Sequence, residues 1–260
     1  MCVCVWKPFE KEVSKETMRL CWDGNPQGAG YMWAEDGRVQ IRKGFFKFRR
    51  FWKAYRRDIS RIERAKSGVA IHFRISTSGL LDRKNCHPHR VSRDLAFIHN
   101  GILPLEVDQK SPVSDSVLFS DILRDLPAGW HNVSNLKVLV EMDAGRNKLV
   151  FLSADGNPFI VNEALGSWED GVWYSNTHWK PFKPYKTGKP GKDGWWSYMP
   201  GNGTYKTGSR DREEEVKTGT GDGDKEASFF DDGPEPLDQD KVDAVVKGWK
   251  SEFDVTEIHH

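Results

Sequence analysis

The spacing of apolar positions divides the chain at about residue 180. Before that point the apolar residues recur with the period of strands or helices, and Cys2-Val3-Cys4-Val5-Trp6 opens the chain as a strand-like run. Ser14 to Trp22 reads as a short helix, closed by the turn formers Asp23-Gly24-Asn25-Pro26-Gln27-Gly28. Ala29 to Ala34 and Arg38 to Arg42 flank Glu35-Asp36-Gly37 as a hairpin. Between Phe46 and Ala65, the residues Phe48, Trp52, Tyr55, Ile59 and Ile62 fall at helical spacing and predict one apolar stripe. Arg49, Arg50, Lys53, Arg56, Arg57, Arg61 and Arg64 occupy the other face, which reads as a solvated surface rather than a phosphate-binding one. Val69 to Ser76 alternates: Val69, Ile71, Phe73 and Ile75 to one side, His72, Arg74 and Ser76 to the other. A turn region over 78–89 leads to a strand at Leu95-Ala96-Phe97-Ile98, which stops at His99-Asn100-Gly101. Ser114-Asp115-Ser116 marks a helix start, and further strands are predicted over 148–153, 159–162 and 171–175. Strands on both sides of helices, with several hairpins, predict an α+β fold: a mixed or antiparallel sheet pair with helices outside.

Beyond residue 180 the pattern changes. Residues 181–235 are rich in Gly, Lys, Pro, Ser, Thr and Asp, and Lys186-Thr187-Gly188 is echoed at Lys206-Thr207-Gly208 and Lys217-Thr218-Gly219. That composition predicts a low-complexity linker. In 236–260, Val242, Val245, Val246, Trp249 and Phe253 fall at helical spacing and predict a last helix. Lysines interleaved with Phe182, Tyr185, Trp195, Trp196, Tyr198 and Tyr205 could stack on single-stranded nucleic acid. The glycine content points instead to an extension, and nucleic acid is not expected as a partner. The formal net charge of +1 implies no strongly acidic or basic partner. No apolar run approaches the ~20 residues of a membrane span, and no secretory signal pattern precedes the first strand. A cytoplasmic protein with no membrane partner is the expectation.

Chemistry enters with Cys2. Its methionine neighbour is readily trimmed when the second residue is small, which would leave a thiol and a free α-amine on one residue. An α-amine titrates near ~8 and can take the proton of a thiol near ~8.5. Read alone, Cys2 is more readily a buried strand cysteine than a nucleophile. Cys4, Cys21 and Cys86 have no spacing that suggests a zinc site or a disulfide framework. His72, His87, His89 and His99 do not repeat a familiar ligand pattern, so no metal and no cofactor is expected.

Four pieces stand in one order: Cys2; His72-Phe73-Arg74-Ile75-Ser76-Thr77-Ser78-Gly79; Asn85-Cys86-His87-Pro88-His89 with Phe97-Ile98-His99-Asn100-Gly101; and Ser114-Asp115-Ser116. Together they resemble the class II, N-terminal-nucleophile glutamine amidotransferase domain, over about residues 2–180. The resemblance implies a four-layer αββα sandwich of the N-terminal-nucleophile hydrolase type spanning 1–180. It implies L-glutamine as substrate, Cys2 as nucleophile, Asn100 and Gly101 as oxyanion donors, and Arg74, Thr77 and Asp115 as substrate-binding residues. Released ammonia would pass to an acceptor on a separate synthetase or other partner protein, because nothing after residue 180 reads as an acceptor domain. A related γ-glutamyl or other amide hydrolase without ammonia transfer, and an inactive binding module, are the alternatives. The chain departs from the biosynthetic members at Val3, where glycine is usual. It departs again at Ile75 and Ser78, which replace a tryptophan and a histidine, and in the turn 24–30, which lacks an arginine near its start. Outside the resemblance, Asn100-Gly101 reads as a hairpin turn and Asp115 as a helix cap.

Overall fold

A computed structural model describes residues 2–180 apart from 106, 109, 110 and 133; the predicted linker and last helix lie outside the described residues. The described chain runs β1 (Val3–Lys7), α1 (Lys15–Asp23), β2 (Ala29–Glu35), β3 (Arg38–Phe45), α2 (Phe48–Arg64), β4 (Val69–Phe73), β5 (His89–Ser92) and β6 (Leu95–Asn100). It continues through α3 (Asp115–Arg124), α4 (Ser134–Asp143), β7 (Lys148–Ser153), β8 (Pro158–Val161), β9 (Ser167–Glu169) and β10 (Val172–Tyr174). One antiparallel sheet has the order β3-β2-β4-β1-β10-β9, and a second has β5-β6-β7-β8.

Strand parity builds the layers. Successive side chains of a strand point to opposite faces. On the first sheet Val3 and Val5 of β1, Tyr31 and Trp33 of β2, and Val69, Ile71 and Phe73 of β4 pack against Met18 and Trp22 of α1 and Phe51 and Tyr55 of α2. The alternate residues Cys4, Trp6, Met32 and Ala70 pack against Ala96, Ile98, Val150 and Leu152 of the second sheet. That sheet's other face, with Leu95, Phe97, Leu149 and Phe151, meets Phe119 and Leu123 of α3, Val140 of α4 and Ala144 just after it. The order is therefore helices, sheet, sheet, helices, an α+β arrangement of four layers held by three apolar contact zones. Each fully buried Leu, Ile, Val or Phe contributes roughly 1.5–3 kcal/mol to such zones.

Local chemistry sets the boundaries. Ser14 caps α1 by accepting the Thr17 N–H at 3.0 Å. β4 ends at Phe73, short of the predicted Ser76, because the next backbone groups leave the ladder: the Ile75 N–H goes to Cys2 Sγ and the Ser76 N–H to Gln27 Oε1. β6 runs on to Asn100, and β7 begins only at Lys148 after α3 and α4, so Asn100-Gly101 is not a hairpin turn. The predicted stripe of α2 carries a buried carboxylate. Asp58 accepts the Tyr31 hydroxyl at 2.7 Å and Arg42 Nε at 2.9 Å, tying the helix to β2 and β3. β5, β9 and α4 are not predicted by the sequence pattern; β5 starts at His89, the last residue of the predicted turn region.

Candidate active site

Cys2 precedes β1 with the parity of Cys4 and Trp6, the residues that face the second sheet. Its half-buried thiol meets the backbone of Ile75 from both sides. Sγ accepts the Ile75 N–H at 3.3 Å and donates to the Ile75 carbonyl at 3.2 Å. Burial pushes the thiol above its ordinary value, against the pull of the Ile75 N–H and the nearby Arg74 charge. The thiol is thus protonated at neutral pH and needs a base to react. Cys4, Cys21 and Cys86 are buried, and burial raises each of them too.

Asn100 closes β6 on the second sheet, with its side chain on the face of Ala96 and Ile98. Its Nδ2 donates to Ser175 Oγ at 2.8 Å, and its Oδ1 is buried without a partner among the described residues. Gly101 follows at φ +147°, and a Cβ there would land on Asn147 Oδ1, so both backbone conformation and space require glycine. Asn147 Oδ1 in turn lies 3.0 Å from His99 Nε2, and His99 Nδ1 lies 3.0 Å from Ser116 Oγ at the start of α3.

Arg74 is 4 % exposed. Its guanidinium donates to the Leu80 carbonyl, the Ser78 carbonyl and Ser76 Oγ, each at 3.0 Å. It braces the loop over 76–80 from within. Asp115 is the first residue of α3, and Ser114 takes the N-cap position without a side-chain bond. The Asp115 carboxylate accepts the Leu103 N–H and the Ser116 N–H at 2.9 Å each, and the Ser78 and Ser116 hydroxyls approach at 3.4 Å. Asp115 therefore pins the turn after Gly101 to α3 and touches the loop that Arg74 braces. Thr77 is exposed at the tip of that loop.

Two residues escaped the sequence reading. Ser175 and Asn176 follow β10, which runs antiparallel to β1. The Asn176 side chain donates to the Cys2 carbonyl at 2.8 Å, and Ser175 bonds both Asn100 and the Cys4 backbone. They connect the start of β1 to the end of β6. Nothing local distinguishes a Ser-Asn pair there from a surface turn.

The four histidines do come together. The rings of His72 and His87 lie 4.1 Å apart between centroids, those of His87 and His89 4.4 Å, and His72 Nε2 is 3.0 Å from the His99 carbonyl. Among the described residues, His72 Nδ1, both His87 nitrogens and His89 Nε2 are buried without partners. Burial and mutual repulsion hold His72 down at about 3, and His87 and His89 well below their ordinary value; burial also lowers His99. Among the described residues no group of His, Cys, Asp or Glu is arranged to hold a metal ion. No helix of the described residues is long and apolar enough to cross a membrane.

No protein-family model matches the chain. No curated protein matches it either. Among solved structures it is similar to the glutamine phosphoribosylpyrophosphate amidotransferase of B. subtilis complexed with ADP and GMP, at 17 % identity and a TM-score of 0.40. The match covers 67 % of this chain, which spans 41 % of that one.

Proposed function

We propose that the protein hydrolyses the side-chain amide of L-glutamine, with Cys2 as nucleophile once Met1 has been removed. The observation that carries the reading is the linkage of Cys2 on one sheet to Asn100-Gly101 on the other through Asn176 and Ser175. The four-layer arrangement and the ordered motifs of the sequence support it, as members of an N-terminal-nucleophile hydrolase fold. In this reading the freed α-amine of Cys2 takes the thiol proton, and the sulfur attacks the amide carbon. The resulting oxyanion is received by an Asn100 side-chain N–H and the Gly101 backbone N–H, each such donor being worth ~3 kcal/mol of transition-state stabilisation. Ammonia leaves with the returned proton, and water cleaves the γ-glutamyl thioester. Arg74 and Asp115 would read the carboxylate and ammonium of the substrate. The ammonia acceptor would reside on another protein.

A second reading has its own support. The guanidinium of Arg74 and the carboxylate of Asp115 are engaged by their own loops. An amide hydrolase that does not grip a free amino acid needs neither group for its substrate.

The test is ammonia release from glutamine, and amine release from an N-substituted amide that lacks the α-amino-acid head group, by wild-type protein whose amino terminus is shown by intact mass to be Cys2, beside Cys2→Ala. Release from glutamine that Cys2→Ala abolishes supports the first reading, and turnover of the N-substituted amide alone supports the second. Retention of Met1 in an inactive native protein would refute both and leave a binding module.

A further inference from the structure

Ser175 is fully buried, and its hydroxyl stands where the two sheets meet. Oγ accepts the Cys4 N–H of β1 at 2.9 Å and lies 2.8 Å from Asn100 Nδ2 at the end of β6. The Ser175 N–H donates to the Cys4 carbonyl at 2.9 Å, which fixes the serine to the same residue through its backbone. Among the described residues, Ser175 is the one hydrogen-bond partner of the Asn100 carboxamide. Apolar packing between the sheets sets their separation but not the rotation of an amide about its last torsion, which is broad and roughly two-fold. A catalytic group displaced by about 1 Å can lose ~10²-fold in rate. The hydroxyl supplies the missing constraint. It is held by the nucleophile's own strand and holds the amide on the opposite sheet.

We infer that Ser175 is a positioning residue that indexes the Asn100 carboxamide against the Cys2 strand, so that oxyanion donor and sulfur keep one relative placement. This rests on the glutaminase reading above. Asn176 completes the device by fixing the Cys2 carbonyl at 2.8 Å. Ser175 itself touches no reacting atom.

The experiment compares two electrophiles on protein beginning at Cys2. One is a chloromethyl ketone analogue of glutamine: the sulfur adds to the carbonyl and the oxygen becomes an oxyanion; the carbonyl then re-forms as that first C–S bond breaks, the sulfur bonds the methylene carbon in place of chlorine, chloride leaves and the thiol proton passes to the amine. The other is iodoacetamide, which alkylates by direct displacement of iodide and develops no oxyanion. Wild type is expected to favour the ketone, with the adduct mapped to Cys2. Ser175→Ala should slow the ketone about 10²-fold, leave iodoacetamide within about two-fold, and lose kcat with little change in KM. Ser175→Thr, which keeps the hydroxyl, should restore the ketone rate to within about ten-fold. Should the alanine variant not fold, Ser175→Cys, with a longer and weaker acceptor, should show the same selective loss. A ketone preference that survives in the alanine or cysteine variant would overturn the inference alone. No preference in wild type would sink the glutaminase reading and this role together.

Discussion

His72 of β4 and His87, just ahead of β5, place their rings 4.1 Å apart, one from each sheet, with His89 and His99 beside them. The charges nearest this group are Arg74 and Lys43, which disfavour protonation, Lys148, which does so at His99, and Asp115, which favours it there. All four residues have folded values below the ~6.5 of an unfolded chain. Below that pH the unfolded state binds more protons, so the stability they share is fully present above about 6.5 and falls as pH drops, for His72 until about 3. Each group that stays neutral in the fold while it is charged in the unfolded chain adds up to ~1.4 kcal/mol per pH unit to that slope. Urea midpoints at pH 7.5 and 5.5 should differ sharply, and His87→Leu should flatten the dependence. Equal midpoints at the two pH values would contradict the buried neutral cluster.

Alkylation of Cys2 should titrate upward. Its thiol lies above the ordinary value because of burial, so the iodoacetamide rate of protein retaining Met1 should climb about tenfold per pH unit up to and beyond ~9. Peptide mass mapping of the adduct across pH checks this. A rate already level at pH 7 would mean a thiolate that burial does not oppose.

Gly101→Ala should destabilise strongly, by about 3 kcal/mol or more, because strain at positive φ adds to a collision with Asn147 Oδ1. The His99–Asn147 contact would be disturbed with it. Thermal denaturation of the variant reads the loss, and a melting temperature equal to wild type would show that the turn has another conformation.

Asp58→Ala should cost about 3–5 kcal/mol by leaving the buried Arg42 charge without this carboxylate, while Asp58→Leu combined with Arg42→Met should recover much of the loss. Denaturant titration of the single and double variants measures the coupling. Simple additivity would show that the pair is not the partner that matters to Arg42.

Regular periodicity made much of this fold legible. The alternation of Val69, Ile71 and Phe73 placed β4 on its correct face, and the stripe from Phe48 to Ile62 placed α2, because both are local signals of burial. Asp58 was not legible. Its acceptor role comes from Tyr31 and Arg42, which reach it only after the sheet has formed. β5 was hidden by its brevity and by the histidines and proline around it. For the candidate site, the ordered motifs singled out Cys2, Arg74, Thr77, Asn100, Gly101 and Asp115, and hydrogen bonds link the surroundings of Cys2, Arg74, Asn100 and Asp115. The geometry also engages Arg74 with the Leu80 and Ser78 carbonyls, which a strand pattern cannot reveal. Ser175 was beyond reach for a different reason. Its partners stand 171 and 75 positions away in the chain, a separation over which no periodicity speaks.

β1 sits between β4 and β10, so residues 3–7 gain their second neighbour from the last strand described. During synthesis residues 3–7 can find β4 once residue 73 has left the ribosome, yet they wait for Tyr174 before that side of the ladder is covered. Chains that stall or are truncated between those points would expose a bare edge along β1.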